Sequence, residues 1–202
     1  MPSPSSASEA DIAYFSSRPA FHALLQSPTL ELRTPSSRDP KSSTEDSLFA
    51  QTFYTPSTIH AALSYYERPA PSAAQIESVT TLLALGEALN GFPHLLHGGV
   101  VASILDEAMG ILLSLNQERA HFRAVAEGKR DGGVPEALGC FTAELKVVYV
   151  RPVRTPGVVV ARAWFVRREG RKTWIWAEVR DEGGEVKAKG EALFVEPRQR
   201  KL

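Results

Sequence analysis

The stretch HGGVVASILDEAMGILLSL, residues 97–115, constrains this chain more than any other. At 100° per residue, Val100, Val101, Ile104, Leu105, Ala108, Ile111, Leu112 and Leu115 fall on one broad apolar helix face. The opposite face, Ala102, Asp106, Met109 and Leu113, is also apolar apart from Asp106. A helix apolar nearly all round is buried nearly all round. One small sheet covers only one side. A second layer must cover the other: the charged segment that follows, the N-terminal segment or a second copy of the chain.

The residues after the helix supply the sheet. Phe141 to Val150 alternates, with Phe141, Ala143, Leu145, Val147 and Tyr149 on one face and Thr142, Glu144 and Lys146 on the other. Val158 to Val166 follows, then a turn at Glu169-Gly170. Thr173 to Arg180 sets Trp174, Trp176 and Glu178 opposite Ile175, Ala177 and Val179. Asp181-Glu182-Gly183-Gly184 reads as a hairpin turn into a last strand, Val186 to Val195. The expected class is therefore α+β, an antiparallel sheet wrapped around one long central helix.

The boundaries are read from composition. Residues 1–47 form an N-terminal extension, Ser/Pro-rich and disordered at 1–8, with short helices over 9–26 split at Pro19 and a linker at 27–47. Residues 48–75 connect it to the core, with a strand-like start, a break at Pro56 and a short helix from Ser57 or Thr58. Residues 76–196 form the main domain, in which 76–90 fits helix or strand equally well. Residues 117–138 are charged and glycine-bearing and read as a long loop, and 197–202 as a tail.

Composition narrows the function classes. Of 202 residues, 43% are hydrophobic and 23% charged, which supports one good core. The net charge is zero and the pI about 7.0, so nothing global points to nucleic acid or to an acidic membrane surface. The single cysteine, Cys140, excludes an intramolecular disulfide and a thiolate-rich metal site, and fits a reducing, cytoplasmic setting. The start, MPSPSSASEADIAYF, lacks the pattern of a secretory signal, and its early acids argue against a mitochondrial transit peptide. The longest apolar region, Val100 to Leu115, is interrupted by Ser103, Asp106, Glu107 and Ser114, short of the roughly 20 residues a membrane span needs.

Chemistry concentrates at the central helix. Gly98 and Gly99 can present backbone N–H donors to a developing negative charge at a helix N-terminus. Asp106, a carboxylate among apolar neighbours, suggests a task. The bland readings are a tight glycine turn and a structural carboxylate paired with an arginine. Gly98 and Asp106 lie eight residues apart, about 12 Å along a helix. Donor and carboxylate serving one carbonyl must lie within a few ångströms of it. Two antiparallel helices satisfy both demands, Gly98 of one chain facing Asp106 of the other, with two sites per symmetric homodimer.

Other residues carry weaker signals. Glu107 reads as an edge salt bridge, and His94 as exposed or lining an entrance. His94, His97 and Asp106 lack a metal-ligand constellation, so no metal or cofactor is expected. Trp174 and Trp176 read as core or interface packing. Arg151, Arg154, Arg167, Arg168, Arg171 and Lys172 gather near strand ends, as phosphate ligands or as a solvated rim.

HGGVVASILDEAMG resembles the central-helix motif of hotdog-fold acyl-CoA thioesterases, in particular a phenylacetyl-CoA-thioesterase-like branch in which an Asp follows the His of His-Gly-Gly by nine residues. FTAELKVVYVRPV is similar to that family's second strand, which commonly ends in Tyr-x-Arg-Pro. The resemblance covers residues 76–196. It implies a sheet curled around the helix, a dimer with a continuous sheet or a tetramer built from two such dimers, and hydrolysis of an acyl-CoA thioester. It further implies that a Gly98 or Gly99 amide polarises the thioester carbonyl and that Asp106 of the other chain acts as general base or nucleophile. Thr142 would place the attacking water, and His97 would orient the loop or touch the thioester. CoA phosphates would meet Arg151 and Arg154, and the acyl tunnel would pass Met109 and Leu113, with His94 at its entrance. A hotdog hydratase or dehydratase and a non-catalytic acyl-CoA-binding module are the competing readings.

Overall fold

The computed structural model describes residues 6–133 and 139–197. Seven strands form one antiparallel sheet: β1 (Leu30–Arg33), β2 (Ile59–Glu67), β3 (Ser78–Leu85), β6 (Phe141–Tyr149), β7 (Gly157–Glu169), β8 (Lys172–Asp181) and β9 (Val186–Val195). Their order across the sheet is β1-β2-β3-β7-β8-β9-β6. A two-stranded ribbon, β4 (Asn90–Phe92) with β5 (Leu95–Leu96), leads into the central helix α3 (Gly98–Ala126). This is the hotdog arrangement, with α3 held in the concave face.

The strand read from Thr173 to Arg180 behaves as its alternation predicts. Ile175, Ala177 and Val179 are buried toward α3, whereas Trp176 stays 44% exposed on the outer face. Hairpin turns fall at Gly170 and Gly184, both at positive φ, where glycine lacks the steric penalty of a Cβ. The sheet face under α3 is built of small residues: Ala161, Ala163, Ala177, Ala188 and Ala192 are all buried. Gly190 marks the closest approach, since a Cβ there would lie 3.0 Å from Met109 Cε.

Met109 therefore belongs to the sheet-facing side of α3, fully buried, and not to the Asp106 face where its spacing puts it. Residue 109 lies 300° from residue 106, close enough to the edge of the apolar stripe to be pulled under by the glycine opposite.

Several other expectations are overturned. The segment from Ser57 is no helix but a turn followed by β2, which pairs with β3 and also with β1 from the supposed linker. The sheet thus starts well before residue 76. α1 (Glu9–Ser16) and α2 (Pro19–Leu25) explain why these strands hide in the sequence. Their Phe15, Phe21 and Leu25 pack on the outer face against Ala61, Leu63, Leu82, Ala84 and Val158. Strands covered on both faces lose their alternation. Residues 48–52 form a single π-type helical turn rather than a strand start. Residues 117–126 continue α3 instead of forming a loop, and Asn116 and Arg119 bond backbone groups at Ile76, Ala70 and Ala73. Of the proposed disordered start, residues 1–5 lie outside the described residues. Ser6 bridges Arg33, and Ser8 caps α1. Residues 134–138 of the proposed loop and 198–202 of the tail also lie outside them.

α3 is long and apolar enough to cross a membrane by length and composition alone. In this fold it is the core helix, packed on β3, β6, β7, β8 and β9.

Candidate active site

The half-exposed side of α3 carries Asp106. Its Oδ1 accepts a hydrogen bond of 2.8 Å from Thr142 Oγ1 on β6. Simple alternation puts Thr142 on the wrong face for this contact. A bulge at Ala143 corrects it: Thr142 pairs with Phe194 and Glu144 with Leu193, so the register shifts by one residue between them. Thr142 then shares the α3-facing side with Leu145 and Val147, and Phe141 turns outward, 65% exposed. Bulges commonly re-aim one side chain in this way. Among the described residues no arginine or lysine pairs with Asp106, so the structural ion-pair reading fails.

At the other end of the site, His97 is the N-cap of α3. Its Nδ1 accepts from the Gly99 N–H at 2.9 Å. The Gly99 amide is therefore engaged, and of the two glycine amides only that of Gly98 remains as a donor for a ligand. The Gly98 carbonyl in turn accepts from Tyr149 Oη at 2.9 Å. Beside them, Leu96, Gly98, Val101, Tyr149, Arg151 and Lys187 line a groove of about 280 Å³. Arg151 pairs with Glu185 at 2.8 Å on its rim. Arg154 is exposed, and its backbone bridges Leu95. His94, at positive φ and 72% exposed, contacts Glu87 near the same helix end. Leu113 lies two turns beyond Asp106, half-buried, at the edge of a second groove with Cys140 and Phe165.

Glu107 departs from its expected edge salt bridge. It faces the N-terminal segment, where Ser37, Phe49, Ile104 and Ala108 enclose a small cavity with it. Arg38, buried nearby, holds that segment by donating to the carbonyls of Phe49 and Ile59. Burial pushes the Glu107 carboxyl up from 4.5 to about 7. The folded state thus favours the neutral acid. The cost to folding is absent below pH 4.5, grows from there to about pH 7, and is complete above it. Glu107→Gln removes that cost. Relative to wild type, the variant should gain up to about 3 kcal/mol between pH 5 and pH 8 in denaturant titrations. An equal stability difference at the two pH values would contradict this account.

The N-terminal cover over Glu107 was not foreseeable from local sequence, and the capping of Gly99 by His97 was missed. His immediately before Gly-Gly at a helix start was the available signal for the cap.

Residues 94–188 match the sequence model of the thioesterase superfamily. The matched segment holds α3 and the strands β6, β7 and β8. Among individual proteins, the chain is 28% identical over 174 residues to Verlamelin biosynthesis protein B of Lecanicillium sp., covering 73% of this chain and 71% of that one. A hypothetical thioesterase from Streptococcus pneumoniae, solved with coenzyme A, aligns at 11% identity and a TM-score of 0.49, over 64% of this chain and 89% of that one. A Bacillus halodurans protein solved with CoA aligns at 26% identity and a TM-score of 0.43, over 60% and 69% of the two chains.

Proposed function

We propose that this protein is an acyl-CoA thioesterase of the phenylacetyl-CoA-thioesterase-like branch, acting as a homodimer. The observation that carries the reading is Asp106, a carboxylate without a cationic partner among the described residues, on a half-exposed apolar helix face and held by Thr142. A substrate carbonyl at the Gly98 amide needs a base within a few ångströms, and the Asp106 of the same chain is about 12 Å away along the helix. The other chain's Asp106 meets the need. Support for a partner comes from β6, an edge strand exposing Phe141, Val148 and Tyr149. Long apolar edges are templates for pairing, and β6 against its own copy would continue the sheet.

Thr142 spends its proton on Asp106, so its oxygen is left to accept from a water. Asp106 takes that water's proton as the oxygen attacks the thioester carbon. The Gly98 N–H stabilises the oxyanion. The C–S bond then breaks, the acid forms, and the proton passes to the CoA thiolate. Thr142→Val should lower kcat about tenfold with KM little changed, the scale of one hydrogen bond to a charged group. A KM effect alone would assign Thr142 to binding. The lyase reading needs a histidine free to act as base, whereas the Nδ1 lone pair of His97 already accepts a hydrogen bond from the Gly99 N–H.

The decisive experiment mixes two inactive variants, Gly98→Pro and Asp106→Asn, after unfolding and refolding them together. Shared sites restore one intact site per heterodimer, about a quarter of wild-type thiol release in an equal mixture. No recovery, with heterodimers verified by mass, would refute sites shared between chains.

A further inference from the structure

Tyr149, Gly98, Gly99 and His97 form one hydrogen-bonded chain through a single peptide unit. Tyr149 Oη donates to the Gly98 carbonyl at 2.9 Å. The N–H of that same peptide, on Gly99, donates to His97 Nδ1 at 2.9 Å. Each bond polarises the next, so the two strengthen each other. Nδ1 accepts, so it carries a lone pair, and the proton of the neutral ring sits on Nε2.

The ring is also held in place. A Cβ on Gly91 would fall 2.9 Å from His97 Cδ2, and one on Gly99 would fall 3.1 Å from Nδ1. The imidazole thus lies between two glycine backbones. The His97 main-chain N–H is tied to the Leu89 carbonyl at 2.9 Å. Among the described residues Nε2 has no partner, and His97 is exposed beside the Gly98 amide.

We propose that Tyr149 is a positioning residue that, through the Gly98–Gly99 peptide, fixes His97 as an Nε2–H donor to the thioester oxygen. This rests on the thioesterase reading above. It replaces the Gly99 amide, which the cap consumes, by a ring donor, and it commits His97 to donating rather than to acting as a base.

The tautomer can be read without any substrate. In ¹⁵N NMR of the full chain, the His97 ring, identified by its loss in His97→Asn, should show a pyridine-type shift at Nδ1 and a pyrrole-type shift at Nε2. In Tyr149→Phe those shifts should move toward each other as the second tautomer gains population. Asn at position 97 can still cap the helix, so His97→Asn should remain folded. In thiol-release kinetics Tyr149→Phe should lower kcat about tenfold at unchanged oligomeric mass, less than the ~10²–10³-fold lost when an oxyanion donor is removed outright. In the His97→Asn background the same change should cost nothing further. A pyrrole-type Nδ1 in wild type, unmoved shifts in Tyr149→Phe, or a full additional loss in the double variant would each overturn the proposal. Expected shifts in a protein that releases no thiol would instead leave the tautomer standing and bring down the thioesterase reading.

Discussion

Asp106→Asn should lower thiol release from acyl-CoA by about 10²–10⁴-fold, the usual contribution of a positioned general base. The substitution suits the question because Asn keeps the shape and still accepts from Thr142 through Oδ1, where the wild-type bond measures 2.8 Å. It removes only the charge and the basicity. Asp106 is half-exposed on an apolar face, so losing the charge should leave stability equal or higher. Most of the loss should fall on kcat, because a base acts in the transition state and contributes little to binding. A drop of less than about tenfold in a folded variant would remove Asp106 from the chemistry. Single turnover in ¹⁸O-water then separates the two roles open to it. A general base leaves the carboxylate unlabelled, whereas a nucleophile that forms an anhydride can carry label into Asp106 itself.

The central helix and the strands after it were legible because each has one buried face, and a buried face writes its period into the sequence. Ile175, Ala177 and Val179 alternate with exposed or half-exposed neighbours for that reason. β2 and β3 were illegible because α1 and α2 bury their outer face as well, so that Val79 to Leu85 is buried without alternation. Within the site, Asp106 stood out by itself, since a carboxylate in an apolar helix is costly anywhere. Thr142 was named for its match to a family position. Alternation alone would have turned it away from Asp106, because one extra residue at Ala143 inverts the face and leaves no mark in composition. Glu107 depended on a segment some seventy residues upstream folding back over the helix, and no local pattern encodes such a return.

Phe15→Ala should destabilise the whole protein by about 3–5 kcal/mol, as removal of a buried aromatic ring does where the site cannot collapse. Phe15 is fully buried. It meets Tyr14 edge-on at 5.1 Å and Phe21 at 6.3 Å, above the outer face of β2, β3 and β7. The extension is fastened at a second point, where Arg18 donates twice to Glu182 in the β8–β9 turn, at 2.9 and 2.7 Å. If α1 and α2 are part of the cooperative unit, urea unfolding of Phe15→Ala should stay a single transition with a lower midpoint and an unchanged slope. An appendage would behave differently. It would detach early, and the sheet would unfold near the wild-type midpoint. The outcome bears on assembly too. With the outer face of β2, β3 and β7 occupied by the chain's own helices, a partner copy cannot pack there. The β6 edge and the Asp106 side of α3 stay open to it, and these are the surfaces a shared active site requires.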